Sequence, residues 1–496
     1  MTTFASGRGA VATGPRWGEA LLASCLVAVA ASGCVRDRAG AAPPEAVPVE
    51  AGAPQAGGST APPTSSAPPQ PAAAGVRAAV LFIGDGMGPA YVTVARVARH
   101  GSAGRLRLDE LPYTAITRTY SADSPVTDSA AAASAMACGA KTNNGVLCQD
   151  ASGAYGRRDG RPLESIAVRA HAAGFRVGIV TTARVTHATP AAFYVTVNDR
   201  EQERTIARRA IEAPLDLLLG GGRRFFRPQP GQGTPRAGAA RDAGDLETLA
   251  RQRGWRLLFT AADLRVVDPA ADPGTPILGL FDASHLPYEA APPDSARTGS
   301  APATAARVAA APRSAPTLEQ MTRFALDRLQ AAGAPFLLVV EGGRIDHAGH
   351  ENWARTLVDE MAAFDAAIGA AIDRLDPRIS LVLVTADHET GGLALNGYPD
   401  EAAGIWGRYH MEGEGDWPVL TFSTGPGLTG AAAQAPWGED DRRAAGVGAP
   451  SAAHTGVDVP LYAWGKGAEQ VHGTLENTAV YWFLRAFVDG TGPPRF

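Results

Sequence analysis

The sequence predicts an α/β fold, a mostly parallel central sheet with helices on both faces. Short, wholly apolar runs recur along the chain, among them "RAAVLFIG", "DLLLGGG", "PFLLVVEGG" and "ISLVLVTAD". A strand that is apolar at every position needs cover on both of its faces, the situation of a buried parallel strand. Amphipathic stretches separate these runs, and strand–helix–strand alternation favours parallel pairing. Ionisable residues follow the runs directly, at the carboxyl ends of strands, where open α/β sheets gather their functional groups.

Taken in order, the chain starts with a segment outside this pattern. Arg8 and Arg16 precede the apolar run "ALLASCLVAVAASG", which ends at Cys34. A basic start, a short apolar segment and small residues before a break describe an export signal, and the run is shorter than the roughly 20 residues a spanning helix needs. "ASGC" resembles the bacterial lipoprotein cleavage site, with Cys34 as the lipid-bearing residue and Ala31 where that site prefers Leu. Ordinary signal cleavage nearby is the alternative. Export to the periplasm or cell surface on a membrane anchor is expected, and Val35, which lacks the aspartate associated with inner-membrane retention, points toward an outer membrane where the cell has one. Residues 35–75 are rich in Pro, Ala, Gly and Ser without an apolar face, and read as a disordered tether. One catalytic domain is expected over residues 76–496.

Within it, "RAAVLFIG" reads as the first strand. "PLESIAVRAHAAG" reads as a helix ended by Gly174 and "FRVGIVTT" as the next strand. "TLEQMTRFALDRLQAAG" is a helix with Thr317 as its N-cap and Glu319 in its first turn, and "NWARTLVDEMAAFDAAIGAAIDRL" is a long amphipathic helix before the strand "ISLVLVTAD". Stretches 227–243 and 289–315 read as surface excursions. The chain of 496 residues, 45% hydrophobic and 19% charged, can bury a sizeable core. A net charge of −5 provides no basic field for nucleic acid. Of four cysteines, only Cys138 and Cys148 fall in the folded part, either as a short disulfide loop or as two buried thiols.

The ionisable residues point to metal chemistry. Asp85 follows the first strand between Gly84 and Gly86, a position that alone suits a helix cap. Glu341 ends a strand, and Asp346 and His350 stand four apart, on one face of a helical turn. A carboxylate and an imidazole converging in this way suit zinc, although alone the pair reads as a surface ion pair. His347 lies on another face, as a supporting residue or substrate contact. Asp387 and His388 end a strand side by side, and His454 precedes a short one. Together Asp85, Asp346, His350, Asp387, His388 and His454 supply two sets of three, which leaves open coordination positions as a catalytic metal site requires. The stretch "PVTDSAAAASAMACGAKTNNG" is a good helix former that presents Ser129 in its first turn.

These motifs resemble those of the alkaline phosphatases, from about Val80 to the C-terminus. The resemblance is carried by "LFIGDGMG", "VTDSAAAASAMACGAKTNNG", "VGIVTTARVTHATPAAFYVTVNDR", "LLLGGGRRFF", "LGLFDASHLPYE", "VEGGRIDHAGH", "VTADHETGG" and "HTGVDVPLYAWG". It implies hydrolysis of phosphate monoesters through a phosphoserine on Ser129, with Arg200 gripping phosphate oxygens and Asp128 orienting that arginine. It further implies one zinc on Asp346, His350 and His454, a second on Asp85, Asp387 and His388, and a magnesium on Asp85, Thr189 and Glu341. His187 resembles the animal enzymes, where others carry an acid, and is expected beside the third metal's water shell. An imidazole there should weaken magnesium. The resemblance allows a homodimer and gives small phosphate monoesters as substrates. Glu341, Thr189 and Arg200 argue against the related phosphodiesterases, and the modified residue of a sulfatase signature is not found. Intact Ser129 and a full ligand set argue against a non-catalytic surface binder of phosphate or metal.

Overall fold

The computed structural model describes residues 75–228, 244–290, 314–397, 404–411, 415–427 and 444–492. The export signal with Cys34, the tether up to residue 74 and most of both expected excursions lie outside the described residues.

Ten strands form one sheet. Numbered along the chain they are β1 (Ala78–Gly84), β2 (Tyr113–Arg118), β3 (Arg176–Arg184), β4 (Leu217–Gly221), β5 (Arg256–Leu258), β6 (Ile277–Leu280), β7 (Phe336–Gly342), β8 (Leu381–Ala386), β9 (Val459–Gly465) and β10 (Gly473–Glu476). Their spatial order is β10-β2-β9-β8-β1-β7-β3-β4-β6-β5. From β8 across to β5 every pairing is parallel. β9 runs antiparallel to both β8 and β2, and β10 pairs parallel with β2.

The central strands are apolar over most of their length because they are covered twice. On β1, Ala79, Leu81 and Ile83 enter one core layer, while Ala78, Val80 and Phe82 enter the other. The first layer is closed by helices Ser129–Cys138, Ile166–Ala172 and Ala479–Asp489, the second by Pro89–His100, Leu318–Ala331 and Ala354–Ile372. Phe82 meets Phe364 of the last of these edge-on, with ring centroids 5.9 Å apart. Burying a side chain of that size contributes roughly 1.5–3 kcal/mol, and the central strands repeat this on both faces.

Local signals set the helix ends. Thr317 caps Leu318–Ala331 by accepting from the Gln320 amide. Helix Ile166–Ala172 starts only after Ser165, whose hydroxyl accepts from Val168, and the turn that ends it holds Gly174 at φ +83°. Cys138 and Cys148 stand as free, buried thiols with their sulfurs 2.8 Å apart. Strands β2 and β5 have no continuous apolar run. β2 alternates exposed and buried positions near the sheet edge, and β5 has three residues.

Candidate active site

The candidate site sits over the carboxyl ends of β8, β1 and β7. Each of these strands delivers acidic residues as it ends. β1 is followed by Asp85, β7 carries Glu341 as its penultimate residue, and β8 is followed by Asp387 and His388. The short helix Arg344–His350 after β7 adds Asp346 and His350 on one face, and His454 arrives on a two-residue strand paired with Glu389–Thr390. Parallel pairing in register brings these strand ends together, Ile83 lying opposite both Glu341 and Thr385.

Three groups of ligand atoms result, each within 4.8 Å: Asp346, His350 and His454; Asp85, Asp387 and His388; and Asp85, Glu341 and His187. The first two are the sets expected from the sequence. In the third, His187 stands with the carboxylates of Asp85 and Glu341. Thr189 is also fully buried.

The chemistry of these atoms calls for cations. Both oxygens of Asp85, Oδ2 of Asp387, Oε1 of Glu341, Oγ1 of Thr189 and Nδ1 of His187 are buried without a hydrogen-bond partner. Unpartnered buried oxygens of this kind are costly unless something positive lies between them. His350 Nδ1 lies 2.6 Å from the Ala452 carbonyl and His454 Nδ1 lies 3.0 Å from that of Thr127. A carbonyl only accepts, so each Nδ1 carries a hydrogen and each Nε2 turns its lone pair inward. The two Nε2 atoms face one another at 3.2 Å, with Asp346 beside them. Two lone pairs and a carboxylate at that distance need a proton or a metal ion between them.

Without a metal, the charges distort one another's equilibria. Burial, with repulsion from Asp387, Asp346 and Glu341, holds the Asp85 carboxyl well above its usual range. Burial likewise pushes Glu341 up to about 7 and Asp387 up to about 6. Burial opposes a charge on His350, yet Asp346 lifts it to about 9. Burial and the neighbouring His454 hold His388 well below the usual imidazole range, as a neutral ligand requires.

Ser129 lies at this centre. It opens helix Ser129–Cys138, is 2% exposed, and places Oγ 3.2 Å from His388 Nε2. Asp128 is the N-cap and divides its two oxygens. Oδ1 accepts from the Ala131 amide at 2.9 Å, while Oδ2 accepts from the Gly145 amide and, at 2.9 Å, from Arg200 Nη1. The other arm of that guanidinium, Nη2, donates to His187 Nε2 at 3.1 Å. The arginine is therefore fixed on two sides facing the serine helix. His347 is in none of the three clusters, its Nδ1 accepting from Arg344 Nη1 at 3.1 Å.

Several contacts were not legible beforehand. Thr390 donates to Asp346 Oδ1, and Thr181 of β3 donates to Glu341 Oε2. His285, in the loop after β6, lies with its ring centroid 4.2 Å from that of His347. Only His285 left a trace in the sequence, an ionisable residue soon after an apolar run.

Similarity to known proteins agrees with this geometry. The family model for alkaline phosphatase matches residues 76–489. The chain is 34% identical over 457 residues to streptomycin-6-phosphate phosphatase of Streptomyces griseus, covering 85% of this chain and 92% of that protein. It is 30% identical over 447 residues to an alkaline phosphatase of Gadus morhua, covering 81% and 89%. Among solved structures, the alkaline phosphatase of Thermus thermophilus matches with a TM-score of 0.61 at 27% identity, over 84% of this chain and 93% of that one. The chain belongs to the alkaline phosphatase family, metal-dependent hydrolases of phosphate monoesters.

Proposed function

We propose that the protein hydrolyses phosphate monoesters through a phosphoserine on Ser129, at a centre holding two zinc ions and one magnesium. The observation that carries this reading is the placement of Ser129 Oγ 3.2 Å from His388, among buried carboxylate oxygens that have no partner. Asp346, His350 and His454 would hold one zinc, and Asp85, Asp387 and His388 the other. Asp85, Glu341 and Thr189 would hold magnesium, with His187 beside them. When bound, the zinc ions supply Lewis acidity that favours the serine alkoxide and neutralises charge on the leaving oxygen.

Ser129 Oγ attacks phosphorus, forming an O–P bond as the bond to the leaving alcohol breaks, and water then hydrolyses the phosphoserine. Arg200 donates to the phosphate oxygens, and Asp128 holds it in position. The start of helix Ser129–Cys138 adds free amides and the positive end of its dipole. The leaving group lies outside these contacts, which supports a broad range of monoesters.

The sequence supports the rest of the reading. Residues 1–34 form an export signal, Cys34 carries the lipid, residues 35–75 form the tether and 76–496 a single catalytic domain, in the periplasm or at the cell surface and able to form a homodimer. No helix among the described residues is long and apolar enough to cross a membrane.

The test is p-nitrophenyl phosphate hydrolysis by wild type and Ser129→Ala, before and after chelation and with zinc and magnesium restored. Turnover should vanish on chelation and return with metal. Ser129→Ala should lose roughly a thousandfold or more while keeping its metal. An unreactive, fully metallated wild type would overturn the reading, and a Ser129→Ala variant that keeps its rate would overturn the phosphoserine.

A further inference from the structure

Beside the candidate centre, over the ends of β7, β3 and β6, lies a second constellation the mechanism above does not use. Arg344 follows β7, Arg184 ends β3, and His285 lies in the loop after β6. The rings of His285 and His347 are 5.6 and 5.9 Å from that of His187, which touches Arg200. The constellation is therefore one imidazole beyond the phosphate-gripping arginine.

Its hydrogen bonds fix where the protons are. A guanidinium only donates. Arg344 Nη1 donates to His347 Nδ1, so the hydrogen of His347 is on Nε2, where it has no partner among the described residues. Arg184 Nη1 donates to His285 Nε2, so the hydrogen of His285 is on Nδ1, which is buried and unpartnered. Two imidazole N–H donors are thus left unspent.

The cations nearby differ in their pairing. Arg184 is neutralised by Glu203 at 2.7 Å and Arg200 by Asp128. Arg344 forms no ion pair with a carboxylate among the described residues. Its guanidinium lies 3.7 Å over the Tyr288 ring, and its Nε is buried without a partner. The acids acting on Tyr288 are Glu360, Glu351 and Asp346. Of these, Glu360 accepts from the Glu289 amide, Asp346 belongs to the metal cluster, and Glu351 is engaged elsewhere and forms no ion pair with Arg344. An uncompensated guanidinium beside two unspent donors is an anion site.

We infer that Arg344, His285 and His347 form a subsite for a second phosphate group on the substrate, so that the enzyme favours organic bisphosphates over simple monoesters. The inference rests on the phosphomonoesterase reading for the position of the first phosphate, but it can be tested without turnover. Binding of 1,3-propanediphosphonate and of propylphosphonate, neither of which can be hydrolysed, would be measured by calorimetry on the metal-loaded full chain. The wild type should bind the diphosphonate roughly tenfold more tightly. Arg344→Gln should abolish that preference with propylphosphonate affinity within about twofold of wild type, Arg344→Lys should keep part of it, and His285→Phe should weaken it. Equal binding of the two ligands by wild type would overturn the subsite, and so would a preference that survives Arg344→Gln. Loss of propylphosphonate binding in Arg344→Gln would also overturn it, by assigning Arg344 to the first phosphate's site. Inactivity toward p-nitrophenyl phosphate with the binding preference intact would fault the catalytic reading alone.

Discussion

Gly86 shows how little room the candidate centre leaves at single positions. It adopts φ +69°, a conformation open to glycine and costly for other residues. A Cβ there would lie 2.7 Å from Thr390 Oγ1 and 2.9 Å from Asp346 Oδ1. Its amide also donates to Asp387 Oδ1 at 3.0 Å, so one backbone unit touches two of the three clusters. Gly86→Ala should cost about 1–3 kcal/mol in backbone strain and displace Asp346. The expected result is less metal retained per chain after dialysis, measured by elemental analysis, together with a lower melting temperature. A variant with full metal content would show that the close approach is unimportant.

The helix Ser129–Cys138 illustrates the element scale. All ten of its residues are buried, and its small side chains allow it to sit under a crowded site. Its start does two jobs through one residue, since Asp128 caps the helix with one oxygen and holds Arg200 with the other. The two jobs separate by substitution. Asp128→Asn keeps a side-chain acceptor for the cap but loses the charge facing Arg200. It should raise KM for p-nitrophenyl phosphate by roughly tenfold, with a smaller change in kcat and a melting temperature near wild type. Asp128→Ala should show the same kinetic defect and lose about 1 kcal/mol of stability as well. Equal stability in the two variants would remove the capping role.

At the scale of the whole molecule, the sheet concentrates negative charge at one edge of its core. Asp85, Glu341 and Asp387 are fully buried, and their folded-state equilibria are raised, Glu341 to about 7 and Asp387 to about 6. A group whose folded pKa is raised contributes stability below its unfolded value and loses it as pH rises through the folded one. The metal-free protein should therefore lose stability as pH rises from about 4.5 to about 7. Bound cations keep the carboxylates ionised, so the loaded protein escapes this loss. Denaturant unfolding of chelated and metal-loaded protein at pH 5 and pH 8 should show the gap between them widening with pH. A constant gap would mean that the carboxylates are not the source of the metal's stabilisation.

The apolar runs at β1, β4, β7 and β8, and the acids at or just past their ends, were readable from the chain because double burial favours apolar residues along a central strand up to its carboxyl end. Five of the six residues expected to hold the two zinc ions were readable for the same reason, since Asp85, Asp387 and His388 follow a strand directly and Asp346 and His350 lie on the short helix after one, whereas His454 comes in on a separate two-residue strand. By itself the sequence determined the sheet's class, the position of Ser129 in the first turn of its helix and the residues able to hold metal. Tertiary structure decided that His187 joins Asp85 and Glu341, and that Arg344 and His285 both meet His347 beside them. These last contacts join strand ends far apart in the chain, through side chains whose partners depend on sheet order. Local pattern encodes burial and turn, whereas strand order is a property of the assembled sheet.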